Sequence, residues 1–295
     1  MSQRTMEVVF LTSFSDGCFR AIPAVAQMAE DLAMRLTLLH AFDPKRERYA
    51  AAEAKLSSFF PEADRFVDTR RIVCEGPLVP ALKAYCERRR VDLFVAPGVD
   101  RVWPLRFRSS ARADLIEACD APVWTIGSRV GAANVRRPTR RIACWLDPQA
   151  TDPGYLRLAA DLARKLDGEL SLLHVVPEIH EGQLGEPTTP LRADEVAAVV
   201  HRQLGGHTVP LSAHVSPGGH WRAALDLVRD CDPDLLVLGP HRSVYPGLLG
   251  ARMNNIVDRV ACPVVCVGAT AAAPRVLRGR GLDALIAPAK LAESM

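Results

Sequence analysis

The chain has no run of about 18 uncharged apolar residues, so no membrane-spanning helix is expected. It is equally short of net charge. Its 37 Lys and Arg stand against 34 Asp and Glu, leaving +3, too little to single out nucleic acid or an anionic membrane as partner. The first residues, Met1-Ser2-Gln3-Arg4-Thr5-Met6, run straight into a strand-like stretch. They lack the apolar segment and cleavage site of a secretory leader. The eight cysteines (Cys18, Cys74, Cys86, Cys119, Cys144, Cys231, Cys262 and Cys266) include no Cys-x-x-Cys pair. Several fall inside apolar strand or helix patterns, as small buried thiols do. A reducing cytoplasm is the expected location. Cys262 and Cys266 on one extended strand would sit about 13 Å apart, beyond disulfide reach. No Gly-x-Ser-x-Gly, His-Glu-x-x-His or phosphate-loop lysine motif occurs. Nor is there a paired acid/base signal. A slow ATPase or a flavoprotein-like subunit of similar fold is therefore disfavoured, and the chain is expected not to be an enzyme.

What is present is a repeat. Residues 25–43 (VAQMAEDLAMRLTLLHAFD) match residues 159–176 (AADLARKLDGELSLLHVV), which places His40 and His174 134 positions apart. VDLFVAPG at 91–98 matches PDLLVLGP at 233–240, and CDAPVWTIG at 119–127 matches ACPVVCVG at 261–268, at offsets of 142 and 141. The second copy thus carries about eight extra residues in its middle. For 295 residues, two domains are expected, 1–128 and 139–268, followed by a tail at 269–295.

Each copy alternates strand and helix. In the first, strands are expected at 7–13, 35–42, 65–74, 91–96 and 122–126, with helices at 17–34, 46–60, 78–90 and 109–119. The second repeats this from 141–146 to 263–267. Strands such as VVFL, LFVA, LLVL and VVCV are apolar at every position, as parallel strands covered on both faces are. The fold class is therefore α/β: two tandem, doubly wound, parallel five-stranded sheets. Pro23 should kink the first helix or delay its start. Thr151-Asp152-Pro153 supplies a helix entry in the second copy. The fifth strand of each copy is an apolar edge that needs cover. The two copies are expected to pair there as a pseudo-dimer with a pseudo-two-fold axis; a homodimer is also compatible.

In an open parallel sheet a ligand sits beyond the carboxyl ends of strands, where strand order reverses. The first and fourth strands of each copy should flank that crevice. In the second copy they end at Asp147 and at Leu238-Gly239. An Asp there accepts hydrogen bonds from sugar hydroxyls. A Gly lets backbone approach phosphate, and the next helix offers free N–H groups. The segment from Gly239 through His241, Arg242, Gly250, Ala251 and Arg252 to Cys262-Pro263-Val264 resembles the ATP-binding universal stress proteins. Those carry a Gly-x-x-Gly, nine-residue spacer, Gly-Ser/Thr loop, an early Asp after the first strand and a Val just after the second. The resemblance covers most of residues 6–268. It implies ATP or another adenine nucleotide as ligand, held by Asp147, Val175, Leu238, Gly239, His241, Arg242, Gly250, Ala251 and Arg252, and a stress-response role. Two departures matter: Arg242 replaces the second loop Gly in a loop two residues shorter, and Ala251 lacks the closing hydroxyl.

The first copy departs further. Ser13 stands at the early Asp position, Pro97-Gly98 opens the loop, and residues 99–110 contain no Gly, so the backbone cannot easily wrap a phosphate. Arg101, Arg106 and Arg108 would leave only a basic rim. Such a degenerate first half resembles the bacterial tandem, universal stress protein E-like type. The alternative is a ligand-free interaction scaffold with both crevices decayed. His40 and His174 are expected to be structural. The group His201, His207, His214 and His220 matches no zinc spacing, so no metal is expected. The basic run 136–141 is a solvated connector in preference to a site for an anionic partner. The tryptophans are spread out, with Trp124 and Trp145 on strands.

Overall fold

A computed structural model describes residues 5–32, 34–66, 68–97, 115–116, 121–135, 137–146, 154–176, 192–204, 209–217, 221–239 and 256–268. In the first half the strands are β1 (Met6–Leu11), β2 (Met34–Phe42), β3 (Arg70–Glu75), β4 (Leu93–Val95) and β5 (Val123–Thr125). In the second they are β6 (Arg141–Trp145), β7 (Glu169–Val176), β8 (Leu211–Pro217), β9 (Leu235–Leu238) and β10 (Val264–Cys266). Between them lie α1 (Asp16–Asp31), α2 (Tyr49–Ser58), α3 (Leu78–Arg88), α4 (Gly154–Lys165), α5 (Ala193–Leu204) and α6 (Trp221–Cys231).

All ten strands form one sheet in the order β3-β2-β1-β4-β5-β10-β9-β6-β7-β8. Every pairing is parallel except the central one, where β5 meets β10 antiparallel through Val123↔Cys266 and Thr125↔Val264. Neither apolar fifth strand is therefore left as an open edge. Side-chain alternation explains the continuous apolar strands. Val8 and Phe10 enter one core with α1, α2, α4 and α5. Val9 and Leu11 enter the other with α3, α6, Leu115-Ile116 and Ile256-Val257. Helices thus cover both faces, which is the doubly wound arrangement.

The backbone repeats the sequence offsets. Thr12 N–H donates to the Leu39 carbonyl at 2.9 Å, and Leu146 N–H to Leu173 at 2.8 Å. Asp92 N–H donates to Glu7 and Asp234 N–H to Arg141, both at 2.8 Å. The seam repeats too. A Cβ on Gly127 would overlap the Val257 carbonyl, and a Cβ on Gly268 would overlap the Ile116 carbonyl. The Gly after the fifth strand thus lies on Val257 of the second half in one case and on Ile116 of the first half in the other, a self-complementary contact about a pseudo-two-fold axis.

Two local expectations change. α1 starts at Asp16 and runs unbroken past Pro23, so the proline does not delay it. The lost N–H frees the carbonyl of Phe19, an exposed residue whose backbone water can reach. β3 begins at Arg70, because Pro61–Arg65 forms a 3-10 turn entered through Phe60 in the left-handed region (φ 53°).

Candidate functional site

Strand order reverses between β1 and β4 in the first half and between β6 and β9 in the second. In the second half Trp145 lies beside Leu238 across the β6–β9 pair, and β7 flanks β6 on its other side. Three of the expected site residues therefore come together at these carboxyl ends. Val175 is half-buried near the end of β7. Leu238 is fully buried in the core, and its carbonyl accepts the Val267 N–H at 2.9 Å; only its backbone faces the strand end. Gly239 follows, also buried. Asp147, His241, Arg242, Gly250, Ala251 and Arg252 lie outside the described residues.

The structure supplies a reason for Gly239 that sequence did not. A Cβ there would come 2.6–2.7 Å from three ring carbons of Tyr155. Tyr155 stands in the first turn of α4 and is 4% exposed. Its ring lies against the backbone at the end of β9. No motif signals this residue. Its counterpart at the 134-residue offset is Ala21, so the repeat gives no hint of it.

In the first half aromatic rings gather at the ends of β1 and β2. Phe14 turns back in the left-handed region (φ 59°). It packs on His40 with centroids 4.5 Å apart, and on Phe59 at 5.6 Å. Phe10 and Phe19 also meet Phe59, at 5.6 and 5.2 Å. His40 is buried. Its Nδ1 lies 2.8 Å from the Thr12 carbonyl and its Nε2 3.3 Å from Glu47. Glu47 also accepts from Lys55 at 2.7 Å. The Lys55 hydrogen bond first, and that of His40 second, hold the Glu47 carboxyl below its usual range. Ser13, at the early Asp position, hydrogen-bonds Ser15 and contacts the buried Cys18 sulfur. His40 is thus a packed, hydrogen-bonded core residue.

Residues 138–268 match the universal stress protein family. The matched span is the second half of the chain. No curated protein matches the chain. Among solved structures, a universal stress protein from Archaeoglobus fulgidus is similar over 89% of this chain and 98% of its own, at 15% identity and TM-score 0.66. A structure titled as a putative universal stress protein from Pseudomonas aeruginosa is similar over 93% and 97%, at 14% identity and TM-score 0.56. The cytoplasmic domain of a prokaryotic cation chloride cotransporter is similar over 92% and 99%, at 10% identity and TM-score 0.53. At such identities the likeness is one of fold.

Among the described residues no group of three His, Cys, Asp or Glu could hold a metal. His201 is exposed on α5, while His214 on β8 lies 3.3 Å from Ser212; His207 and His220 lie outside the described residues. His174 is buried at the position matching His40. Among the described residues of the basic connector, the arginines pair within the chain. Arg137 pairs with Asp232 and Asp234 at 3.2 and 3.3 Å, Arg141 with the same two at 3.0 and 3.1 Å, and Arg140 with Asp167 at 3.6 Å. Asp234 also accepts the backbone N–H groups of Arg140 and Arg141 at 3.1 and 2.9 Å. Asp92 does the same for Glu7 at 3.0 Å, with Arg90 at 2.9 Å. These twin buried carboxylates anchor the amino ends of β6 and β1, opposite the crevice. Both lie within the repeated segments, where sequence marked them only as part of the match.

Proposed function

We propose that this chain is a non-catalytic stress-response regulator of the universal stress protein type, and that its second half takes up one adenine nucleotide per chain. The observation that carries this is the placement of Val175 and Gly239 at carboxyl ends on either side of β6, inside the span that matches the family. In the first half Phe14 and Phe59 pack with His40 at the end of β1–β2. In the second half a Val and a Gly stand at the ends of β7 and β9, inside the span that matches the family. In this proposal Asp147 accepts hydrogen bonds from ribose hydroxyls and Val175 flanks the base. The backbone following Leu238 and Gly239, with Gly250 and Ala251, lies along the phosphates, and His241, Arg242 and Arg252 supply positive charge. Residues 1–128 and 139–268 are the two domains, 269–295 a tail, and the cytoplasm the place of action. Titration calorimetry with ATP and with AMP on the purified full chain tests the proposal; absence of binding at millimolar nucleotide would defeat it.

A second proposal, a ligand-free interaction scaffold, draws on Tyr155. Its ring already covers Gly239, so nucleotide would have to displace or stack against a buried aromatic. Retention of ATP by wild type together with altered affinity in Tyr155→Ala favours the regulator; no binding by either protein favours the scaffold.

A further inference from the structure

The ten-stranded sheet ends at β3 on one side and at β8 on the other, and the two edges are unlike. β3 carries Arg70, Arg71 and Glu75 in six residues, charges of the kind that discourage strand addition. Arg71 is also tied back, donating to the Leu56 and Phe60 carbonyls at 3.2 and 3.3 Å. β8 has no such guard. Residues 203–221 contain no Lys, Arg, Asp or Glu.

Which backbone groups of β8 face outward follows from its register. The Pro210 carbonyl accepts the Leu170 N–H at 2.9 Å, and Leu170 lies beside Leu211. Successive residues of a strand present their N–H and C=O to opposite sides. Ser212, His214 and Ser216 therefore bond to β7, while Leu211, Ala213 and Val215 turn N–H and C=O outward. Among the described residues those outward groups meet no partner. Pro217, next in the outward series, has no N–H to give, which limits pairing to these three residues. The side chains alternate too. Leu211, Ala213 and Val215 pack on the core that α5 shares, while Ser212 and His214 lie on the opposite face, 3.3 Å apart.

We infer that the outer edge of β8 is a self-association surface, and that its partner is β8 of a second copy of this chain, paired antiparallel about a two-fold axis at Ala213. The segment is complementary to itself in this register. Ala213 meets Ala213 of the other copy, and Leu211 meets Val215 on either side of the axis. Each of these three residue pairs exchanges two hydrogen bonds, and the Leu211–Val215 pairs carry the apolar face across the join. On the other face Ser212 falls opposite His214 in the closely spaced type of pair, a hydroxyl against an imidazole with no carboxylate or ammonium opposed. A foreign strand could use the same N–H and C=O groups, but this matching on both faces at once favours a second copy. The two-fold contact is closed, and the charged β3 edge offers no second point of growth, so association stops at the dimer. So narrow a contact suits a weak, reversible one. The inference is independent of the nucleotide crevice.

The test is sedimentation velocity of the full chain from micromolar to millimolar concentration, with thermal melts to establish that each variant is folded. Wild type should pass from monomer to dimer. Ser212→Lys/His214→Lys sets like charges directly opposite each other across the axis and should abolish the dimer. Ser212→Lys/His214→Glu sets opposite charges there and should keep it. Arg70→Glu, on the β3 edge, should leave association unchanged. Amide hydrogen exchange of wild type gives a second reading that needs no variant. The Leu211, Ala213 and Val215 N–H groups should exchange more slowly as concentration rises, while those of Ser212 and His214, already bonded to β7, should not change. The inference is overturned if wild type stays monomeric at millimolar concentration, or if those three amides exchange at a rate independent of concentration. It is equally overturned if the two double variants, both folded, associate alike, or if Arg70→Glu abolishes the dimer.

Discussion

The seam between the halves makes a sharp demand on Gly127. A Cβ added there would overlap the Val257 carbonyl oxygen and lie 2.7 Å from the carbonyl carbon and 3.0 Å from the Asp258 Cα. All three are backbone atoms, so no side chain can swing aside. Ordinary carbon–carbon contact is about 3.5–4.0 Å, so β5 and the Ile256-Val257 segment must part by more than about an ångström. Overpacking of this kind costs about 1–3 kcal/mol, and a rigid backbone contact belongs at the upper end. Reduced freedom of the unfolded chain offsets about 0.4–1 kcal/mol. The net expectation for Gly127→Ala is a loss of about 2 kcal/mol, or a fall in Tm of about 4–8 °C. Gly268→Ala should cost less, because the Ile116 carbonyl carbon lies 3.4 Å away and only its oxygen is overlapped. The double variant should fall short of the sum, since both contacts resist the same opening. An opened seam would also expose the β5 and β10 edges, and concentration-dependent association should follow. The assay is thermal unfolding followed by circular dichroism, with size exclusion at two concentrations. Gly131→Ala is the control: its nearest neighbour is the Asn134 side-chain oxygen at 3.3 Å, which can move. A Gly127→Ala protein melting within about a degree of wild type would refute the reasoning.

Further outcomes follow from buried groups. Asp234→Ala strands two backbone N–H groups and two arginines and should cost about 3 kcal/mol. Asp92→Ala, which strands the Glu7 N–H and Arg90 among its partners, should cost about 2 kcal/mol or more; urea denaturation gives both. Burial pushes the Cys262 thiol up to about 12 and raises that of Cys144. Both should resist iodoacetamide in the native protein at about pH 8, while the half-buried Cys74, Cys86 and Cys231 are modified first; peptide mass mapping reads this. The Arg141 hydrogen bond, ahead of Arg137, lowers the Asp232 pKa. Its folded value is therefore below the unfolded one, and its stabilisation is present above about pH 4 and lost as pH falls through the folded value. The difference in urea midpoint between wild type and Asp232→Asn should accordingly be largest at neutral pH and vanish in acid.

The sheet was legible because its signal is dense. Every residue of VVFL or LLVL is apolar, which only a strand buried on both faces requires, and the offsets between copies reappear as matched hydrogen bonds at Thr12 and Leu146. Helix ends were less so. α2 stops at Ser58 and not at Phe60 because Phe59 is drawn into the aromatic cluster and Phe60 takes a left-handed turn, a tertiary demand that local propensity does not carry. Of the candidate site, Val175, Leu238 and Gly239 lie at carboxyl ends on either side of β6. Tyr155 and Phe14, whose rings pack at those ends, were not visible. Each acts through a contact with a distant segment, Gly239 in one case and Phe59 in the other, and neither sits in a periodic pattern that announces it. Asp92 and Asp234 were in plain view in the repeat, but nothing local says that an Asp there caps the neighbouring strand.

One nucleotide per chain, held by the second half, is the proposal on which the rest depends. Its decisive measurement is calorimetric titration of the full chain with ATP, repeated on Asp147→Ala and on Ser13→Ala. The expected result is a stoichiometry of one, with binding lost in Asp147→Ala and retained in Ser13→Ala. Two equivalents per chain, or binding that survives Asp147→Ala and disappears in Ser13→Ala, would contradict it.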